Sequence, residues 1–218
     1  MAQRIILTGA TGMVGEGVLL TCLAQSDVEA VLSISRRPSG HAHPKLRELL
    51  VPDFFDLSAV EKELAGYTAC FFCAGVSSVG MQELDYMRVT HDLTLSFANT
   101  LARIDPVLTF IYISGDGTDA YSNQMWARVK GYTEKDLLKL PFQAAYMFRP
   151  GVMSPVEGQE NMGASHAIIG KLVPALRRIF PKHACTLREV GLAMLNAARR
   201  GAPQPVLEVP DIVALAAG

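Results

Sequence analysis

An apolar run, Arg4-Ile5-Ile6-Leu7-Thr8, breaks into Gly9-Ala10-Thr11-Gly12-Met13-Val14-Gly15, a G-x-x-G-x-x-G placed where a strand ends and a helix begins. Each glycine has a steric reason there. One permits the tight turn, one lets backbone N–H groups approach a diphosphate at the positive helix end, and one lets the helix pack close to the strand. The strand-turn-helix context separates this from a chance run of glycines, and the lack of a following Gly-Lys-Ser/Thr excludes a P-loop. The corner reads as a dinucleotide site, with Gly9, Thr11, Gly12, Met13, Val14 and Gly15 as its contacts.

The rest of the chain repeats the pattern. Short apolar runs at Arg4 to Thr8, Ala30 to Ile34, Ala69 to Cys73, Val107 to Ile113 and Ala144 to Phe148 read as strands buried on both faces. Between them, Met13 to Gln25, Ser58 to Leu64, Glu83 to Ile104 and roughly Ser122 to Leu140 carry helical spacing, and a weaker strand is expected near Leu49 to Phe54. Strand, helix, strand, helix predicts an α/β, doubly wound parallel sheet. After Pro150 a Gly, Pro, Ser and Asn-rich stretch leads to expected helices at Ser165 to Phe180 and Leu187 to Arg199, then a short apolar tail, Val206 to Val209. With 218 residues, the expectation is a single Rossmann domain, residues 1–218, in which 151–218 contributes a small substrate-side lobe.

Composition narrows the class. Twenty Lys and Arg against 21 Asp and Glu leave a net charge of −1, with 50% hydrophobic and 19% charged residues. Such a chain is neither a disordered tail nor a binder of nucleic acid by bulk charge. Four cysteines without a secretory leader predict reduced thiols in the cytoplasm. No window approaches the ~20 apolar residues of a membrane span. Residues Ile168 to Phe180 are apolar with three cations, compatible with a membrane surface, a partner contact or a substrate-lobe helix.

The second strand ends in Ser33-Ile34-Ser35-Arg36-Arg37-Pro38 rather than in the Asp or Glu of an NAD-type site. Two guanidiniums suit a ribose 2′-phosphate, so Arg36 and Arg37 favour NADP(H), with NAD(H) as the alternative. Cys70-Phe71-Phe72-Cys73 has thioredoxin spacing, but on a strand its two sulfurs point to opposite faces. His41 and His43 lack a thiol or carboxylate nearby and read as a solvated turn.

Together these residues resemble the atypical and extended short-chain dehydrogenase/reductases, particularly the small NAD(P)-binding proteins grouped with sugar-nucleotide epimerases and with Tat-interacting-protein-like oxidoreductases. The resemblance implies roles position by position. Asp56-Leu57 is similar to the adenine-contacting Asp-hydrophobic pair, and Cys73-Ala74-Gly75 stands where the family has Asn-Ala-Gly. Ser114 matches the catalytic serine and Lys130 the lysine of Tyr-x-x-x-Lys. Phe148-Arg149-Pro150-Gly151-Val152 resembles the segment bordering nicotinamide, with Pro150, Gly151 and Val152 as contacts.

Two positions depart from the pattern. Trp126 stands four residues before Lys130, where the family has its proton-exchanging tyrosine, and an indole is no phenol-like acid. Thr90 replaces an asparagine that organises a relay water. Of the side chains that could stand in for the phenol, Tyr121 ranks ahead of Tyr86, His91, Asp116 and Asp119, against an ordinary capping or packing tyrosine, with water or the substrate itself as the other proton sources. Met81 and Met153 fall on segments that shape the substrate pocket in relatives. The resemblance implies an oxidoreductase on a small carbonyl, alcohol or nucleotide-sugar-like substrate, with a homodimer as an open possibility along Glu83 to Ile104 and Ser122 to Leu140. The competing expectation is a non-catalytic NADP(H)-sensing module.

Overall fold

Residues 2–161 and 177–218 are described by the computed structural model. In chain order they form β1 (Gln3–Thr8), α1 (Met13–Leu23), β2 (Val28–Ser35), β3 (Leu46–Leu50), a 3-10 turn (Ser58–Glu63), β4 (Ala69–Phe72), α2 (Glu83–Met87), a π turn (Arg88–Asp92), α3 (Leu93–Ile104), β5 (Thr109–Ile113) and α4 (Met125–Leu137). Then come β6 (Ala144–Arg149), β7 (Val152–Ser154), β8 (Ala184–Thr186), α5 (Leu187–Arg200), β9 (Val206–Glu208) and α6 (Val209–Ala217). Seven strands make one parallel sheet in the order β3-β2-β1-β4-β5-β6-β9, while β7 and β8 pair separately. The chain is therefore the expected doubly wound α/β fold.

Alternation along the strands sorts the core into two layers. Ile5, Leu7 and Phe71 pack with α1, α5 and α6, whereas Ile6, Cys70 and Phe72 pack with Phe97 and Leu101 of α3 and Leu137 of α4. The same alternation separates the sulfurs: Cys70 lies in the second layer and Cys73 against the first. Cys22, Cys70, Cys73 and Cys185 are all free thiols.

Several boundaries moved for physical reasons. The third strand is Leu46–Leu50 rather than Leu49 to Phe54, because Pro52 has no N–H to continue the ladder; the last rung is Val51 N–H to the Ser35 carbonyl at 2.9 Å. Glu83 to Ile104 is one helical run interrupted by the π turn. Beyond the apolar tail the chain continues as α6, which a sequence reading could have found. Pro210 sits in its first turn, and Glu208 and Asp211 form a reciprocal cap. Of the expected helix Ser165 to Phe180, and of the apolar stretch Ile168 to Phe180, residues up to 176 lie outside the described residues. Within 151–218, β9 extends the main sheet beside β6, α5 packs on α1, and the small β7-β8 sheet stands apart. Among the described residues no helix is long and apolar enough to cross a membrane.

The strand order reverses between β1 and β4. Connections leave these two strands toward opposite sides, so a crevice opens beyond their carboxyl ends.

Candidate functional site

The glycine corner occupies that crevice. Gly9 has φ +76°, and a Cβ there would lie 2.6 Å from the Cys73 carbonyl carbon and oxygen. A Cβ on Gly15 would lie 2.1 Å from the Gly9 carbonyl oxygen, so only glycine lets α1 press onto the turn. Gly12 differs: a Cβ there meets only the Gly9 oxygen, at 3.5 Å, and otherwise faces open space. Gly12 caps α1, whose regular bonding starts with Glu16 N–H to the Gly12 carbonyl at 2.9 Å. Helix geometry leaves the N–H groups of Met13, Val14 and Gly15 without acceptors inside the helix, at its positive end. Thr8 fastens the other wall, its Oγ1 accepting the N–H groups of Cys73 and Ala74, both at 3.1 Å.

Two hollows meet here, of about 390 and 670 Å³, sharing Gly12, Cys73, Ala74, Gly75 and Val76. The outer one runs from Gly9 and Thr11 to Ser35, Arg36 and Arg37. Both arginines are exposed, and no carboxylate pairs with either among the described residues. Its far wall is Pro52, Asp53, Phe54 and Phe55, not Asp56 and Leu57. That assignment is corrected by one turn of chain: the Asp56 carboxylate accepts the Ser58 N–H at 2.9 Å, which starts the 3-10 turn, the Ser58 hydroxyl and then this N–H lower its pKa, and Leu57 is buried in the core. Asp53-Phe54 carries the same residue pattern three positions earlier, and only the point at which β3 stops distinguishes the two.

The inner hollow is lined by Met13, Val14 and Gly15 on one side and by Ile113, Ser114, Lys130, Pro150, Gly151, Val152 and Met153 on the other. Ser114 is buried at the end of β5, its Oγ 3.0 Å from Thr118 Oγ1. Lys130, from α4, is half-buried, and its Nζ donates to the carbonyls of Ser114 at 3.0 Å and Ile113 at 3.3 Å. Burial pushes its ammonium down to about 8, with the Glu134 charge pulling the other way. Arg149 holds α4 at this angle by clamping Glu134 at 2.9 and 2.5 Å and Glu208 at 2.9 Å. Burial pushes the Cys73 thiol up, so it stays protonated.

Neither aromatic substitute lines this hollow. Trp126 packs its ring over Gly115 and Gly117 and donates Nε1–H to Gln124 at 2.9 Å. Tyr121 is 83% exposed, with its hydroxyl accepting from Lys135 at 3.1 Å in a separate surface hollow beside α4. The expectation of Tyr121 as the substitute phenol is thereby corrected, because the turn before α4 carries it outward. Thr90 is buried off the cleft, while Val89 and Leu93 line the outer hollow. Tyr86 is buried, His91 bridges Asp92 and Asp136, Asp116 pairs with His183, and Asp119 accepts the Tyr121 N–H. Met153 reaches the lining and Met81 does not.

Glu16 had no role in the sequence reading. It is wholly buried in the first turn of α1, accepting His41 Nε2 and the N–H groups of Glu160 and Asn161, each at 2.8 Å. Desolvation raises its pKa, yet these donors outweigh it and the net shift is downward. Gln159 adds a bond to the Met13 carbonyl at 2.8 Å. His41 is therefore not on a solvated turn: it joins the segment after Arg37 to the first turn of α1 beside the glycine corner. The only sequence signal was a carboxylate among apolar residues of a helix otherwise buried nearly all round.

Comparison with known proteins agrees with this fold. The sequence model of the NAD dependent epimerase/dehydratase family matches residues 5–142. The chain is 32% identical over 172 residues to the mitochondrial protein fmp52 of Aspergillus fumigatus, covering 76% of this chain and 72% of that one. It is 29% identical over 171 residues to FMP52 of Chaetomium globosum, covering 75% and 71%. Among solved structures, glucuronic acid dehydrogenase from Chromohalobacter salexigens superposes with a TM-score of 0.68 at 15% identity, covering 95% of this chain and 76% of the other. WbmF of Bordetella bronchiseptica in complex with NAD+ gives 0.67 at 14%, covering 99% and 76%. The cytoplasmic placement expected from the cysteines is corrected by the relatives, which are named as mitochondrial proteins. Free thiols suit any reducing compartment, so they could not make that distinction.

Proposed function

We propose, since the chain belongs to the NAD dependent epimerase/dehydratase family, that it is an NADP(H)-dependent oxidoreductase of a small carbonyl or alcohol. The observation that carries this reading is one continuous cleft, leading from Arg36 and Arg37 across the glycine corner to Ser114 and Lys130. The residues fit the cofactor. Open space over Gly12 and acceptor-free N–H groups at the start of α1 suit a diphosphate. The unpaired arginines suit a 2′-phosphate, and Asp53 and Phe54 suit the adenine end.

When bound, the cofactor would supply hydride exchange at the nicotinamide. The protein's share is orientation and charge. Ser114 would donate a hydrogen bond to the reacting oxygen, with Thr118 Oγ1 fixing its hydroxyl. Lys130, tied to the carbonyls at the end of β5, would hold the nicotinamide ribose. Pro150, Gly151 and Val152 would border the ring, and Cys73-Ala74-Gly75 the middle of the cofactor. In this reading residues 1–218 act as one cofactor-binding domain, with residues after 151 on the substrate side and the long helices available for a homodimer. The compartment carried over from the relatives' names is the mitochondrion.

A second reading has its own observation. No tyrosine lines the inner hollow among the described residues, which favours a non-catalytic NADP(H)-sensing module. Calorimetry and a carbonyl panel separate the two. NADPH is expected to bind about tenfold or more tighter than NADH, and Arg36→Ala with Arg37→Ala to remove that preference while sparing NADH. Equal affinity for both cofactors refutes the NADP(H) assignment. Absence of turnover across the panel by a protein that binds NADPH selects the module, and turnover by the unaltered protein selects the enzyme.

A further inference from the structure

The inner hollow divides sharply by polarity. At its floor stand Ser114, hydrogen-bonded to Thr118, and Lys130, whose Nζ donates to the carbonyls of Ile113 and Ser114. Its walls are Met13, Val14, Val76, Ile113, Val152 and Met153, and Ser77 is the one further polar side chain among the described lining residues. No arginine, aspartate or glutamate is among them. Guanidiniums borne by adjoining elements are already engaged: Arg149 by Glu134 and Glu208, Arg128 by Glu83, and Arg177 by Glu189. At the mouth, Val76 is 46% and Val152 40% exposed, with Val79 at 87% two residues beyond Ser77.

This distribution decides between substrate classes. Against Val76, Val152 and Met153, away from the N–H groups at the start of α1, a diphosphate or carboxylate would lose its hydration without gaining a charged fork. Hydrocarbon entering them would cover apolar surface now facing water. We propose that the inner hollow takes an uncharged carbonyl compound, or its alcohol, with its one polar group at Ser114 and a hydrocarbon remainder against Val76, Val152 and Met153. The described lining residues offer a nucleotide sugar or a uronate no charged fork there. The inference rests on the cofactor reading above, because the nicotinamide end of the cofactor would share this hollow.

The test reads binding without turnover. A ketone cannot react with oxidised cofactor, so the complex with NADP+ is titrated calorimetrically with 2-alkanones of four to ten carbons. Affinity is expected to rise about fourfold per methylene until the hollow is filled. UDP-glucuronate is expected not to compete. A flat series, or competition by UDP-glucuronate at ketone concentrations, overturns the proposal while leaving the cofactor reading intact. Absence of NADP+ binding in the same calorimeter sinks the cofactor reading and this proposal with it. Val76→Asp, at an exposed position, adds a check on contact. It should weaken the longest ketone about tenfold or more and leave butanone within about twofold, with circular dichroism unchanged. Equal weakening across the series overturns the hydrocarbon contact.

Discussion

Gly12→Ala and Gly15→Ala should separate the fold of the glycine corner from its use. In Gly15→Ala the new methyl would stand 2.1 Å from the Gly9 carbonyl oxygen and 2.3 Å from its carbon, both backbone atoms, so α1 has to retreat from β1. Overpacking of this kind costs about 1–3 kcal/mol. In a chain of 218 residues each kcal/mol lowers Tm by about 2–4 °C, giving a fall of roughly 2–12 °C together with lost cofactor binding. In Gly12→Ala the methyl touches only the Gly9 oxygen at 3.5 Å. Gly12 has φ −119°, which alanine adopts freely. The stability cost is the poorer helix cap, at most about 1 kcal/mol. That methyl nevertheless stands over the N–H groups offered to the diphosphate. Losing one hydrogen bond to a charged group, about 1.5–3 kcal/mol, weakens NADPH roughly ten- to a hundredfold. Thermal unfolding and calorimetry on the two variants supply both numbers. Gly12→Ala binding NADPH within about twofold of the unaltered protein would refute the placement of the diphosphate.

Two further outcomes follow from buried charges. Lys130 releases its proton at about 8 when folded against 10.5 ordinarily, so between these values the unfolded chain binds more protons and stability rises with pH. Lys130→Met should therefore be the more stable protein near pH 7 and lose that advantage toward about pH 10; melts that differ by a constant amount across this range contradict the buried ammonium. Glu16 works in the opposite direction, its carboxyl held below 4.5. Its stabilisation is present above that value and lost as pH falls through the lowered one. Glu16→Gln should cost about 1–3 kcal/mol at neutral pH, with faster amide exchange at Glu160 and Asn161, and should cost progressively less in acid. Unchanged exchange at those two amides would show that the carboxylate does not hold the segment.

Much of the site was legible because its parts are local. The glycine spacing, the basic end of β2 and the serine that closes β5 each lie within one strand and its turn, where steric rules act over a few residues. Positions that depend on where a neighbouring element stops were harder. Asp56-Leu57 and Asp53-Phe54 look alike as sequence, and Pro52 ending β3 early selects the second pair. Tyr121 lies nine residues before Lys130, but the turn between them points the phenol to the other side of α4. Glu16 could not be read at all, since its partners lie 25, 144 and 145 residues away.

Sequence alone determined the layering, the parallel sheet and the glycine corner, because periodic burial and glycine sterics are written in neighbouring residues. Which side chains face the cleft was decided only by tertiary packing. Aim and charge state there depend on groups distant in the chain: Arg149 setting α4 through Glu134, and burial lowering Lys130. Desolvation and long-range hydrogen bonds belong to the assembled molecule, and no local pattern encodes them.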